Sequence, residues 1–304
     1  MKGCARTKAP DLALAAAACI FATLGLAAPA LSAAPPDPAP AKDKGGADLG
    51  AFVKDILGVK GTRGHIRAKS VTWRVFPPAT DLSAALQITE EGDWRLEKMR
   101  GDQCGGRMDG RAEIRFGGSD RRFDFAAKWI GVRLEEVTRY LKRQVIPGIV
   151  TASADITMTS KGREGLSGDV RLSLRNGNLG GFPMVLKILS LLSFPGVNKE
   201  DIENADARMT LTPRAIVFQD LSLGSADGAF QLKAERLGSI GYDGKLDVYF
   251  RPEIGKGLLA SVPVAGDLVN KILDDITKRS MRIHVTGDTG SPRYQWAAFK
   301  MGRD

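Results

Sequence analysis

Cysteine and histidine are scarce in this chain of 304 residues, which contains three cysteines and two histidines. Cys4 and Cys19 lie within the first 34 residues, so Cys104 is the only cysteine in the remainder. One thiol cannot form an internal disulfide, and two histidines offer little to a zinc site. Stability therefore has to come from burial of apolar surface, for which about 260 residues are sufficient.

The sequence also lacks a recognisable set of catalytic residues. His65 has no cysteine or histidine at the spacing of a metal site, and His284 lies on the polar side of its strand, where we expect a solvated side chain. Cys104 has no histidine near it in the chain, which leaves only a spatially adjacent one to activate the thiol. Asp274 and Asp275 occupy adjacent helical positions, which point in different directions. The sequence thus predicts a non-enzymatic protein without a metal or cofactor.

Positive charge is in excess but is not concentrated in one place. Lys and Arg number 44 against 35 Asp and Glu, giving a formal net charge of +9, and only 7% of residues are aromatic. The basic residues are spread along many segments without a cluster or interleaved aromatics, so nucleic acid is not a predicted partner. A solvated sheet face rich in Lys and Arg is the simplest interpretation, and attraction to anionic lipid headgroups is the alternative.

The first 34 residues have the pattern of an export signal. Three basic residues precede an uncharged stretch, Leu12–Ala28, and small residues at 30–34 are followed by two prolines. This is typical of a signal peptide cleaved within 30–34, after which the formal net charge falls to +7 because three basic residues and one acidic residue are lost. An uncleaved membrane anchor is the alternative, since the stretch reaches the lower limit of a span. Residues 35–50 are rich in Pro, Gly and Ala and predict a linker, followed by a folded domain at 51–304.

Short segments of alternating apolar and polar residues dominate the chain after residue 51. Such a period of two is typical of strands with one buried and one wet face, and turn signals such as Asn176-Gly177 separate them. The predicted strands are 64–75, 82–89, 94–100, 107–116, 122–129, 149–159, 169–175, 207–212, 215–223, 229–235, 245–251, 280–286 and 293–299. The sequence therefore predicts a mostly β fold, a long antiparallel meandering sheet. Its apolar face has to close, pair with another sheet, or curl into a trough.

Three helices interrupt the predicted strands. A short one is expected around Leu134–Leu141, where apolar residues take helical spacing. Residues 182–194 are apolar except for a thin stripe of Lys187 and two serines, so this helix must be covered on nearly all sides. At ~20 Å it is too short to span a bilayer, and we expect it to fill an apolar concavity or to lie at a membrane surface. Residues 267–278 form an amphipathic helix that is expected to cover one end of the sheet, with docking to a partner or a membrane as the alternative.

Several sequence pieces follow one another in a fixed order between about residues 150 and 296. They are NGNLGGFP before the apolar helix, SLGSADGAFQLKAERLG and YDGKLDVYF in a hairpin and strand, VPVAGDL before the amphipathic helix, and VTGDTGSP in the closing strands. In these pieces and their order the chain resembles the C-terminal region of the AsmA-like superfamily of bacterial envelope proteins. The positions of the shared motifs look like turns and breakers: Gly177, Pro183, Pro263, Gly266, Gly287 and Pro292.

The resemblance implies a β-groove that holds lipid acyl chains, residence in the periplasm, and a role in lipid transport or outer-membrane homeostasis. Phospholipid or another lipid is the implied ligand, a membrane surface or an envelope protein is the implied partner, and no catalytic residue is implied. The apolar sides of the C-terminal strands are the predicted groove lining: Val170, Leu172, Leu174, Met209, Leu211, Phe230, Leu232, Leu246, Val248, Phe250, Ile283 and Val285. About a dozen strands ~4.8 Å apart make a trough roughly 60 Å long, enough for a lipid or two or for one segment of a longer assembly. The alternative is a scaffolding protein whose apolar face is filled by its own side chains and helices.

Overall fold

The structure is a computed structural model that describes residues 61–71, 77–117, 121–140, 145–179, 185, 187–188, 202–228, 230–235, 238–254, 282–288 and 291–297. The predicted export signal, the linker at 35–50 and the amphipathic helix at 267–278 lie outside the described residues. So do Pro183, Pro263 and Gly266, together with most of the predicted apolar helix at 182–194.

The described residues form one antiparallel sheet of fourteen strands, so the predicted mostly β, meandering fold is confirmed. The strands are β1 (Arg63–Val71), β2 (Ala79–Ile88), β3 (Trp94–Gln103), β4 (Gly106–Arg115), β5 (Arg122–Arg133), β6 (Ile149–Thr159), β7 (Gly162–Arg175), β8 (Ile202–Leu211), β9 (Ala215–Ser225), β10 (Phe230–Ala234), β11 (Ser239–Gly241), β12 (Lys245–Ile254), β13 (Arg282–Asp288) and β14 (Ser291–Ala297). Consecutive strands are neighbours from β1 to β10 and again from β12 to β14.

Strands β10 and β11 share one position in the sheet, since each pairs with β9 on one side and β12 on the other. Between β10 and β11 the chain leaves the regular pattern of strand pairing, but it still forms backbone hydrogen bonds with β9 and β12. The Phe218 N–H donates to the Gly238 carbonyl at 2.7 Å, and the Glu235 N–H donates to the Tyr249 carbonyl at 2.8 Å. The sequence analysis missed β11, because three residues are too few to establish an alternating pattern.

Strand β7 begins seven residues earlier than its alternation predicts. The extension from Gly162 to Gly168 pairs with β6, as in the contact of Ser167 with Thr157. Gly168 is required there, because a Cβ at this position would clash with the carbonyl oxygen of Asp155 on β6. Glycine allows the two strands to come this close, but it has no side chain and so interrupts the alternation of apolar and polar residues. The start of β7 is therefore not visible in the sequence pattern.

The connection from β5 to β6 contains the helix α1 (Leu134–Tyr140), which the sequence predicted. Leu134 and Val137 point into the protein and are almost completely buried. Thr138, fully buried, donates its hydroxyl to the Leu134 carbonyl at 3.0 Å and accepts the Ile146 N–H at 3.3 Å. The helix is thus fixed to the segment that returns to β6.

Side chains alternate across the sheet, so that one face is apolar and the other is polar. Apart from Ala79, Leu86 and Ile88 on β2, the buried apolar side chains form two clusters. The large cluster contains 33 residues from the end of β5 to β13, including those of α1, and Val185 and Ile188 belong to it. The small cluster contains six residues on β2–β5: Ala84, Met99, Met108, Ala112, Phe125 and Ala127. The apolar face is therefore continuous across the sheet but unevenly filled.

Candidate functional site

All twelve residues predicted to line a groove belong to the large cluster, so the structure brings them together on one face. Their side chains are closed off from solvent: relative exposure runs from 0% at Val170, Ile283 and Val285 to 7% at Leu246. At these positions the apolar face is part of a packed core, and an acyl chain has no open surface to contact.

Part of the cover over this core is visible in the described residues. Leu179, directly after the turn that follows β7, is 1% exposed and packs in the large cluster. Val185 and Ile188 are helical and buried in the same cluster, whereas Lys187 is exposed. This division agrees with the polar stripe expected for the apolar helix at 182–194.

The same face is more open where it crosses the N-terminal strands. Leu82, Leu96, Phe123 and Trp129 are half-buried and pack around the small cluster. We call these four residues the apolar shelf. Its aromatic rings are in contact through Phe125, whose centroid lies 6.2 Å from that of Phe123 and 6.2 Å from that of Trp129. The shelf was not among the predicted lining residues, although the alternation in 82–89, 94–100 and 122–129 was visible in the sequence.

The surface beneath the shelf is made of small side chains. Gly110 on β4 lies opposite Ala127 on β5 and opposite Met99 on β3, and Ala112 lies opposite Leu96 and Phe125. Small residues fill little of the roughly 10 Å that separates a sheet from the next packed layer. The shelf is therefore a shallow apolar surface with larger side chains at its margins.

A hydrogen-bonded pair of side chains fixes the end of the shelf nearest the large cluster. The indole N–H of Trp129 donates to the Gln103 side-chain oxygen at 3.0 Å, and the Gln103 amide donates to the Pro77 carbonyl at 2.6 Å. The indole packs against both clusters, so its polar edge is satisfied while its apolar faces join the two cores. This arrangement holds the ring at the boundary between them.

The polar face over the N-terminal strands has a ladder of alternating charges. Glu113 on β4 is bonded by Arg95 and Arg115, each at 3.1 Å, and Asp124 on β5 is bonded by Arg122 at 2.8 Å. The hydrogen bond from Arg115 is the main cause that lowers the pKa of Glu113. Burial opposes the change at Asp124, but hydrogen bonds from Arg122 and Thr157 outweigh it and lower that pKa as well. These carboxylates are held ionised by structural partners.

The three described residues that were considered for catalysis, Cys104, His65 and His284, lie in different parts of the sheet. Cys104 is half-buried in the β3–β4 turn, and burial is the main cause that raises its pKa to about 11, so the thiol is protonated at neutral pH. His284 is less solvated than expected: its side chain is 22% exposed, stacks on Tyr249 at 3.9 Å and has Nε2 2.7 Å from Asp247. His65 is exposed on the edge strand β1. Within the described ranges, no three His, Cys, Asp or Glu side chains come together to hold a metal, and Asp274 and Asp275 lie outside those ranges.

Three of the predicted turn and breaker positions are described. Gly177 follows Asn176, which has a φ of 53°, and its N–H donates to the Glu203 carbonyl at 2.8 Å. Gly287, with a φ of 88°, lies in β13 directly opposite Pro292 in β14. Pro292 thus sits on the last strand of the sheet, and an edge strand is where proline, which has no N–H, is tolerated.

The fold and its surface place the protein in the class of antiparallel β-meanders, with one face of the sheet apolar and the other charged. Comparison of the chain with protein-family models, with curated proteins and with solved structures gave no match. None of the helical segments in the described ranges has the length and apolar character needed to cross a membrane.

Proposed function

We propose that the protein is an exported, non-enzymatic AsmA-like envelope protein that holds lipid acyl chains against the apolar face of its sheet. In this role it contributes to lipid transport or outer-membrane homeostasis from the periplasm. The export pattern at 1–34 and the sequence resemblance over about 150–296 support the setting. The observation that carries the proposal is an apolar face that runs from β2 to β13 and is incompletely covered over β2–β5.

The apolar shelf is the proposed site of acyl-chain contact, in place of the twelve C-terminal positions. An acyl chain gains free energy only from apolar surface that water would otherwise reach. Leu82, Leu96, Phe123 and Trp129 keep such surface, whereas the twelve are at most 7% exposed.

The dimensions of the shelf suit a single acyl chain. From β2 to β5, the strands that carry the shelf, the sheet covers three strand spacings, roughly 14 Å at ~4.8 Å each. One leaflet of a bilayer contributes about 15 Å of hydrocarbon, half of the ~30 Å core. A chain lying across these strands would therefore be covered along nearly all of its length by one side of the sheet.

A scaffolding protein with a closed core is the second candidate function. It is favoured by the deep burial of the C-terminal face, where Val185, Ile188 and α1 already occupy the place of a ligand. In that case the shelf is only the thinly covered end of the same core, and the purified protein contains no lipid.

Lipid analysis of the full chain with a matched pair of variants separates the two functions. We would extract lipid from protein purified without detergent and compare wild type with Phe123→Asn on the shelf and Phe230→Asn in the large cluster. Acyl-chain binding at the shelf predicts that Phe123→Asn loses most of the lipid while unfolding at nearly the wild-type denaturant concentration. Phe230→Asn, at a residue only 1% exposed, should lower stability strongly, by ~3–5 kcal/mol.

Two outcomes of this experiment count against lipid binding at the shelf. Wild-type protein without any bound lipid would leave the scaffold as the function. Lipid that is retained by Phe123→Asn but lost from a still-folded Phe230→Asn would place the acyl chain in the C-terminal core, as the sequence alone predicted.

A further inference from the structure

A row of charged and hydroxyl side chains crosses the polar face in register. Strand pairing places Lys128 opposite Ser153, Ser153 opposite Arg171, and Arg171 opposite Arg208. Side chains directly opposite in an antiparallel pair have Cβ atoms about 4.5–5.5 Å apart. Three cations on β5, β7 and β8 thus lie side by side, with a serine hydroxyl between the first two.

These three cations have no carboxylate partner among the residues that the structure describes. Across the described ranges, Lys128, Arg171 and Arg208 have neither an ion pair nor a side-chain hydrogen bond, although many other arginines of the same face are bonded to carboxylates. Two like charges directly opposite each other destabilise a sheet. The Arg171–Arg208 pair is therefore an unfavourable feature of the unliganded fold.

Nearby acids do not remove this charge. Asp206 is held by two hydrogen bonds from Arg175, at 2.9 and 3.0 Å, and by one from Ser173 at 2.9 Å. Asp169 accepts a hydrogen bond from Thr210 at 3.0 Å. Asp220 lies opposite Arg208 but forms no ion pair in the part of the chain that the structure describes. The row consequently keeps a local excess of positive charge.

The cations border a shallow, open groove on the polar face. A cavity of about 270 Å³ is bordered by Lys128, Arg171 and Arg208 and by the hydroxyl-bearing Thr151, Ser153 and Ser173. Asp206, which is already bonded to Arg175, and Asp220 lie at its border as well. The cavity shares Arg208 and Asp220 with a neighbouring cavity of about 640 Å³. The groove has room for a small anion together with the group that carries it.

We propose that Lys128, Arg171 and Arg208 form a binding site for a phosphoryl group on the polar face. Two guanidinium groups and an ammonium supply charge-assisted hydrogen bonds, and arginine matches phosphate oxygens with two parallel donors. The Ser153 hydroxyl, between Lys128 and Arg171, is placed to donate a further bond. A bound phosphoryl group also relieves the repulsion between Arg171 and Arg208. The site lies on the face opposite the apolar shelf, so it does not depend on acyl-chain binding.

A phosphoryl group can belong to a soluble phosphate ester or to a lipid headgroup, and two measurements distinguish these sources. In the first, inorganic phosphate is titrated into the full chain at constant ionic strength, with chloride as the balancing anion. At a phosphate concentration ten times the dissociation constant, we expect Tm to rise by about 3–6 °C. Arg171→Gln and Arg208→Gln should each weaken phosphate binding at least tenfold.

Arg111→Gln is the matched control for the charge change. Arg111 is also an exposed arginine of the polar face and, in the described ranges, has no ion pair, but it lies opposite Ala126 instead of a second cation. We expect its phosphate affinity to stay within twofold of wild type. A wild-type protein that does not respond to phosphate or to vesicles, or three variants with equal losses, would overturn the proposed site.

The second measurement is co-sedimentation with vesicles of phosphatidylcholine alone or with one third phosphatidylglycerol. Binding to the mixed vesicles that is lost in Arg171→Gln and Arg208→Gln, and retained in Arg111→Gln, identifies the source as a headgroup. Phosphate binding without vesicle binding identifies a soluble phosphate ester. Vesicle binding that falls equally in all three variants would mean general charge attraction and would contradict the site. Neither measurement involves the lipid extraction that tests acyl-chain binding. A negative result for the phosphoryl site is therefore independent of the result for the apolar shelf.

Discussion

Strands β2–β5 and strands β6–β13 belong to one sheet and follow the same alternation, yet their apolar faces are filled differently. The small cluster on β2–β5 has six buried residues, three of which are alanines. The large cluster has 33, and Phe218, Phe230 and Phe250 are among its fully buried side chains. The two regions therefore differ in the volume of their inward side chains and in how much of the chain packs over them.

This contrast shows that two properties of a strand are independent: which of its sides is apolar, and how deep a core that side helps to form. Alternation decides which side of a strand is apolar, and it is equally clear in both regions. The depth of the core depends on how large the inward side chains are and on what packs over them. Burial of one large apolar side chain contributes about 1.5–3 kcal/mol, so the C-terminal strands have far more stabilisation from this source.

A matched pair of leucines tests the contrast with the largest expected effect. Leu172 is 3% exposed and lies between Ala152 and Ala207, whereas Leu96 is half-buried between Leu86 and Ala112. We expect Leu172→Ala to lower the free energy of unfolding by ~2–5 kcal/mol and Leu96→Ala by less than ~1.5 kcal/mol, as measured by urea denaturation. Equal losses would mean that the shelf is as tightly packed as the large cluster.

Amide hydrogen exchange tests the same contrast without a mutation. Strands β2 and β3 are interior strands, as are β7 and β8, so an edge effect does not bias the comparison. Because the N-terminal pair is covered by fewer large side chains, we expect its amides to exchange at least tenfold faster through local opening. Uniform protection across the four strands would show that the sheet opens as one cooperative unit and that the two regions do not differ in stability.

Much of the fold was predictable because alternation is local information. Thirteen of the fourteen strands were predicted at least in part, and α1 was expected from apolar spacing near Leu134. The exceptions have local causes: Ser239–Gly241 is too short for a pattern, and the glycines at the start of β7 interrupt one.

The candidate site was less predictable, since it depends on contacts between distant segments. The twelve proposed lining residues do share a face, but their closure depends on residues such as Leu179 and Ile188 that pack over them. No strand pattern reveals whether an apolar face is covered. The opposition of Arg171 and Arg208 likewise depends on the register between β7 and β8, which are separated along the chain by more than 25 residues.

The polar faces of the two regions also differ, and this difference has the smallest expected effect. Over the N-terminal strands Glu113 and Asp124 alternate with three arginines, whereas the C-terminal strands include the like-charged pair Arg171 and Arg208. If the ion pairs of the ladder add stability to β3–β5, where apolar packing is thin, then removing one of them should lower the free energy of unfolding by a measurable amount.

Substitution of Glu113 by Gln tests the ladder through its pH dependence. A carboxyl group whose pKa is lower in the folded protein stabilises it above the unfolded value of about 4.3, and that stabilisation disappears as the pH falls through the folded pKa. We expect Glu113→Gln to lower the free energy of unfolding by less than ~1 kcal/mol at pH 7, because exposed pairs are screened, and to have no effect at pH values below the folded pKa.

Glu97→Gln, at an exposed position on β3 that forms no ion pair in the described ranges, should match wild type at both pH values. If the two variants behave alike, the ladder contributes nothing to stability, and β3–β5 depend on their shallow apolar face alone.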